Sequence, residues 1–113
     1  MIVRIKALAE DDAPHPYLVV AFIEDGTAMS PARVLVARLI RHLGPKGAYS
    51  ITVNRQQGLA LMCGFEFEAD ATKFAAVVRA KPIGRYEGWK SQRGFVLDGR
   101  KHAAILKAIA KLA

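Results

Sequence analysis

The chain has 113 residues, 52% of them hydrophobic and 24% charged, a balance that excludes a disordered or fibrous protein and fits one globular domain spanning 1–113. Seventeen Lys and Arg against ten Asp and Glu give a net charge of +7, which favours an anionic partner over a cationic one. The single cysteine, Cys63, excludes an intrachain disulfide and suits a reducing compartment.

The segment from Met1 to Leu8, MIVRIKAL, alternates apolar residues with Arg4 and Lys6, the pattern of a short strand with one wet face. Those two cations interrupt the apolar run a signal peptide needs, and no run approaches the ~20 residues of a membrane span. The expected location is therefore the cytoplasm, with no membrane partner. EDDAPHP breaks regular structure because Pro14 and Pro16 lack backbone donors. Tyr17 to Ile23, YLVVAFI, reads as a central strand. Tyr17, Val19, Ala21 and Ile23 alternate with Leu18, Val20 and Phe22, so both faces are apolar and both are expected to be covered. The cover would be a second copy, the N-terminal segment or the last helix.

Ser30 and Pro31 suit an N-cap and the first position of a helix. Leu35, Val36, Leu39, Ile40 and Leu43 share one helical arc, Arg33, Arg38 and Arg41 lie outside it, and GPKG ends it. The segment after it, AYSITVNRQQGLALMCGFEFE, reads as two strands around NRQQG. Gly64 within the second strand marks a bulge or a close backbone approach. EADATKFAAVVRA is a second helix, with Ala71, Phe74, Ala75 and Val78 inward, and KPIG stops it. RYEGWKSQRGFVLD then reads as a strand pair turning at KSQRG. Asp98 caps a last helix with Ile105, Leu106, Ile109 and Leu112 on its apolar arc and His102 near the centre of that arc, mostly buried.

The expected fold class is α+β, with four to five mostly antiparallel strands, helices mainly on one face, and an extra C-terminal helix. From Tyr17 to Leu97 the order strand–helix–strand–strand–helix–strand resembles the split βαβ pattern of ferredoxin-like domains, a likeness of topology that implies no particular function. RNA-binding domains of that class stack bases on aromatics of the third strand. Here Leu59 and Leu61 stand at those places and offer no π face.

No residue pattern supports catalysis, a metal or a cofactor. His15, His42 and His102 are scattered, no Cys-x-x-Cys occurs, and no phosphate-binding glycine loop appears. What remains is a basic surface. Arg33, Arg38 and Arg41, Arg85, Lys90 and Arg93, and Arg100, Lys107 and Lys111 are the candidate phosphate contacts for nucleic acid or another polyanion, with Tyr86 and Trp89 as candidate stacking groups. Against stacking, burial energetics place Trp89 and Phe95 in the core or in a dimer contact, with Lys90, Arg93 and Arg100 exposed. The alternatives are a homodimeric interaction domain and a small-ligand domain.

Overall fold

The computed structural model describes residues 15–24, 29–55, 59–84 and 88–113. Among the described residues the elements are β1 (Tyr17–Ile23), α1 (Met29–Leu43), β2 (Tyr49–Asn54), β3 (Ala60–Phe65), α2 (Glu68–Val78), β4 (Lys81–Pro82), β5 (Lys90–Leu97) and α3 (Gly99–Leu112). The fold is α+β; among the described residues it has one mixed five-stranded sheet in the order β2-β3-β1-β5-β4 and three helices. The expected N-terminal strand over Met1–Leu8 lies outside the described residues.

β3 runs antiparallel to both β1 and β2, so β1 and β2 are parallel with β3 between them. The second half is arranged differently. β5 lies parallel to β1, and the two-residue β4 pairs antiparallel with the middle of β5. The expected turn at KSQRG is therefore overturned: Lys90–Leu97 is one strand, and those polar residues lie inside it. The chain absorbs them as an irregularity, with Ser91 at φ 46° and a register shift opposite Tyr17 and Val19. A bulge of this kind takes up one extra residue without ending the strand. It also sends neighbouring aromatics to opposite sides, Phe95 to the larger core and Trp89 to the smaller.

The larger core lies between the sheet and the helices α1, α2 and α3. Val19, Ala21, Ile23, Leu61, Cys63, Phe65, Phe95 and Leu97 meet the predicted inward arcs of α1 and α2. A row of rings runs through it, Tyr49 to Phe65 to Phe74 to Phe95, with centroids 6.3, 5.7 and 6.1 Å apart. Burial pushes the Cys63 thiol up to about 12. In α3 only Ile105 and Ile109 are buried; Leu106 and Leu112 are exposed and His102 is half-buried, so the expected four-residue arc and its mostly buried histidine are corrected to a narrower stripe. A helix at the margin of a small core has only one neighbouring surface to fill.

The opposite face carries Leu18, Val20, Ala60, Met62 and Trp89, with Phe22 and Ile83 packed beside them. Leu18 and Val20 are 0% exposed, and none of the described helices contributes to this cluster. Gly64 belongs to the same face, opposite Leu18. A Cβ there would sit 2.8 Å from the carbonyl oxygen of His15, so the close approach expected at Gly64 is real and requires glycine.

Local bonds fix the helix ends. α1 begins at Met29, so Ser30 falls inside the helix rather than at its N-cap. Its last carbonyl, Leu43, accepts from Lys73 Nζ at 2.8 Å. The buried Asp70 carboxylate accepts from the backbone N–H groups of Lys46 and Gly47 at 3.1 and 2.9 Å, which pins the GPKG turn against α2. Among the described residues no helix is long and apolar enough to cross a membrane.

Candidate functional site

The helix α2 ends at Val78, and Arg79 caps it in the left-handed conformation, φ 58° and ψ 43°. That turn delivers Lys81 to β4. β4 is too short to cover β5: it pairs only with Arg93 and Gly94. Beyond Gly94 the outer edge of β5 has no strand partner among the described residues. At the end of β5, Asp98 caps α3, its carboxylate accepting from Lys101 N at 2.8 Å. These three features leave an open cleft of about 600 Å³ along the free edge of β5, lined by Arg79, Lys81, Phe95, Asp98, Arg100 and Lys101 among others.

Lys101 shapes this cleft more than it decorates it. Its Nζ donates to the Val78 carbonyl at 2.7 Å and sits 6.0 Å from the Phe95 ring centroid. A cation at a helix C-terminus and beside a ring face is stabilised by both. Arg79, Lys81 and Arg100 remain exposed. Four cations thus face one carboxylate, and that carboxylate already serves α3.

The basic surface continues along α3. At about 100° per residue, Arg100, Ala104, Lys107 and Lys111 fall within an arc of about 60°. Ala104 lines the cleft, so this arc turns toward it, and Lys107 and Lys111 are exposed. From Arg100 to Lys111 the helix rises about 16 Å. Among the described residues, no Lys or Arg is ion-paired with an Asp or Glu. Four of the five described acids are occupied otherwise: Glu66 with Ala48 N, Glu68 with Ser91 Oγ, Asp70 with the GPKG turn, and Asp98 with Lys101 N.

The predicted phosphate contacts separate into groups. Arg100, Lys107 and Lys111 share the α3 arc. Arg33, Arg38 and Arg41 are exposed on α1, and the Arg33 guanidinium donates to Ile51 O of β2 at 3.4 Å, at the sheet edge opposite β4. Lys90 is exposed at the start of β5, opposite Tyr17. Arg93 is half-buried on the helix side and donates to Thr72 Oγ1 at 3.4 Å, so it is less exposed than expected. Trp89 is 8% exposed, which removes it as a stacking platform. Arg85 and Tyr86 lie outside the described residues.

The sequence reading missed Arg79, Lys81 and Lys101. A signal existed in the pairing of two cations around a helix stop, Arg79 and Lys81, with two more at a capped helix start, Arg100 and Lys101. Among the described residues no group of three or more His, Cys, Asp or Glu is placed to hold a metal. The chain matches no protein-family model, no curated protein and no solved structure.

Proposed function

We propose that the protein is a non-enzymatic binding module for nucleic acid, held through phosphates by the surface from Arg79 and Lys81 through Arg100 to Lys107 and Lys111. The observation that supports it is a run of cations, supplied by α2, β4 and α3, whose side chains have no carboxylate partner among the described residues. Each phosphate neutralised by such a cation releases counterions, so affinity falls steeply with salt. Because Trp89 is buried, the contact is made with the backbone rather than by stacking on that ring, which favours duplex over single strand. We read the β1–α1–β2–β3 half as a ferredoxin-like split βαβ unit and place the protein in the cytoplasm, consistent with its buried thiol.

The test is a salt titration of binding to duplex and single-stranded DNA and RNA. Arg100→Ala/Lys107→Ala/Lys111→Ala is expected to lower the slope of log affinity against log salt by about 3 on duplex DNA. Lys90→Ala/Arg93→Ala is the control and leaves it unchanged. No binding by the wild type at low salt, or an unchanged slope in the triple variant, removes the reading.

A second reading rests on the free edge of β5. An extended acidic peptide would add there as a strand, with Arg79, Lys81 and Arg100 beside it. It predicts amide-exchange protection of Phe95–Leu97 by the peptide and none by duplex.

A further inference from the structure

We propose that the cleft beside β5 is a site for the terminal phosphate of a nucleic-acid strand, a phosphomonoester rather than one of the diesters along α3. This preference for strand ends rests on the nucleic-acid reading above. The cleft and the α3 arc differ in shape. Along α3, Arg100, Lys107 and Lys111 stand in a row, which suits successive diesters. In the cleft, cations from three elements line one volume of about 600 Å³, within the ~300–1,000 Å³ of small-ligand sites. Arg79 comes from the end of α2, Lys81 from β4 and Arg100 from the start of α3.

The pairing of β4 decides what else the cleft offers. Lys81 lies opposite Gly94, and Ile83 N donates to the Gln92 carbonyl at 3.0 Å, so the outward backbone groups of β5 are those of Gln92, Gly94 and Val96. Leu97 turns its carbonyl the other way and accepts from Glu24 N at 3.3 Å. Gln92 and Gly94 face β4. Val96, 53% exposed, is left with an outward N–H and C=O and no strand beside them among the described residues. One residue is a short edge for a strand to build on. A donor next to an acceptor suits a terminal nucleotide, whose phosphate accepts from the N–H while a sugar hydroxyl donates to the C=O. The cations flank this edge from both sides. Cross-strand neighbours point to one face, so Lys81 stands with Gly94 on the side of Phe22 and Ile83, whereas α3 brings Arg100 from the helix side. Lys101 is engaged with Val78 O and the Asp98 carboxylate with Lys101 N, which leaves Arg79, Lys81 and Arg100 for a ligand. A phosphomonoester carries about −1.5 to −2 at neutral pH, more than a diester or a carboxylate, and is the closest match to three cations.

A DNA hairpin with a single open end is the test, its termini carrying a 5′ phosphate, a 3′ phosphate or hydroxyls only, with binding to the full chain read by fluorescence anisotropy at one salt concentration. A phosphate on one of the two termini is expected to tighten binding about tenfold over hydroxyl ends, the worth of one charge-assisted contact. Arg79→Ala/Lys81→Ala is expected to bring that ratio below about twofold. Lys107→Ala/Lys111→Ala is expected to weaken both forms alike and keep the ratio, because those cations meet internal diesters. All four side chains are exposed, so neither variant disturbs the core. Equal affinity for phosphate and hydroxyl ends, with hairpin binding intact, overturns the proposal and leaves the nucleic-acid reading standing. A ratio that survives Arg79→Ala/Lys81→Ala places the strand end elsewhere and overturns it as well. Binding of an acidic peptide and of no hairpin removes both.

Discussion

The two faces of the sheet bury side chains of the same strands by different means. On one side, large residues interlock with three helices: Phe65, Phe74 and Leu39 are each at most 1% exposed, and rings touch across elements. On the other, the strands offer Gly64 and Gly94 among their inward positions, and neighbours lie flat on the backbone. The first face gains its energy from shape, since removing atoms leaves a hole that three rigid helices cannot fill. The second depends on absence of bulk, since adding atoms forces a neighbour away. Opposite kinds of substitution should therefore injure the two faces.

The largest effect is expected from Phe74→Ala. It removes the middle ring of the row and should lower the unfolding free energy by about 3–5 kcal/mol in urea titrations. Met62→Ala on the other face should cost less, toward the lower end of the ~2–5 kcal/mol range for such truncations. Equal losses would break the contrast.

Cys63 probes how dry the helix-covered face is. Its folded thiol stands at about 12 against an ordinary 9.0. Below the ordinary value both folded and unfolded chains hold the proton, so its contribution to stability is intact. Above about pH 9 the unfolded thiol ionises while the folded one does not. Stability should then fall by up to ~1.4 kcal/mol per pH unit until the folded thiol also titrates. The measurement is the difference between wild type and Cys63→Ala across pH 8–11; parallel curves would mean that water reaches the sulfur.

Next comes a pair of glycines. A Cβ at Gly64 meets the His15 backbone at 2.8 Å, whereas at Gly94 it meets Phe22 Cε2 at 2.7 Å and Ile83 at 3.3 Å. A side chain can swing aside and a backbone carbonyl cannot. Gly64→Ala should cost about 1–3 kcal/mol, and Gly94→Ala less, by thermal unfolding. The smallest effect is a gain. Arg79→Gly relieves a left-handed arginine and should add up to about 1 kcal/mol of stability while weakening binding to duplex. A loss of stability would show that the arginine side chain holds the cleft together.

Much of this was legible in the sequence because it is local. The inward arcs of α1 and α2 follow from 3.6-residue spacing, and the two-sided burial of β1 follows from its unbroken apolar run. Gly64 announced a close approach because a glycine amid apolar strand residues has little other use. What was not legible depends on register and on distant neighbours. KSQRG looks like a turn, yet β1 supplies a partner for those residues, and a single bulge at Ser91 lets the strand continue. The same bulge sends Trp89 and Phe95 to opposite faces, which alternation alone cannot foresee. Leu106 and Leu112 have the right spacing but no surface to meet. The cleft joins Arg79, Lys81, Arg100 and Lys101 only because β4 stops after two residues, and strand length set by pairing leaves little trace in composition.

The placement of β1 at the centre of the sheet bears on how the chain comes to be folded at all. β1 has no partner close to it in sequence: it pairs with β3 on one side and with β5 on the other, Ile23 lying opposite Leu97. During synthesis at ~5–20 residues per second, the strand is exposed for roughly 4–15 s before the segment that completes its pairing exists. In that interval β2 and β3 can already form a hairpin and recruit one edge of β1, while the other edge stays open. Non-local pairing of this kind slows folding and offers an apolar edge to other nascent chains. The protein should therefore refold slowly for its size, and yield should improve when translation is slow or a holding chaperone is present.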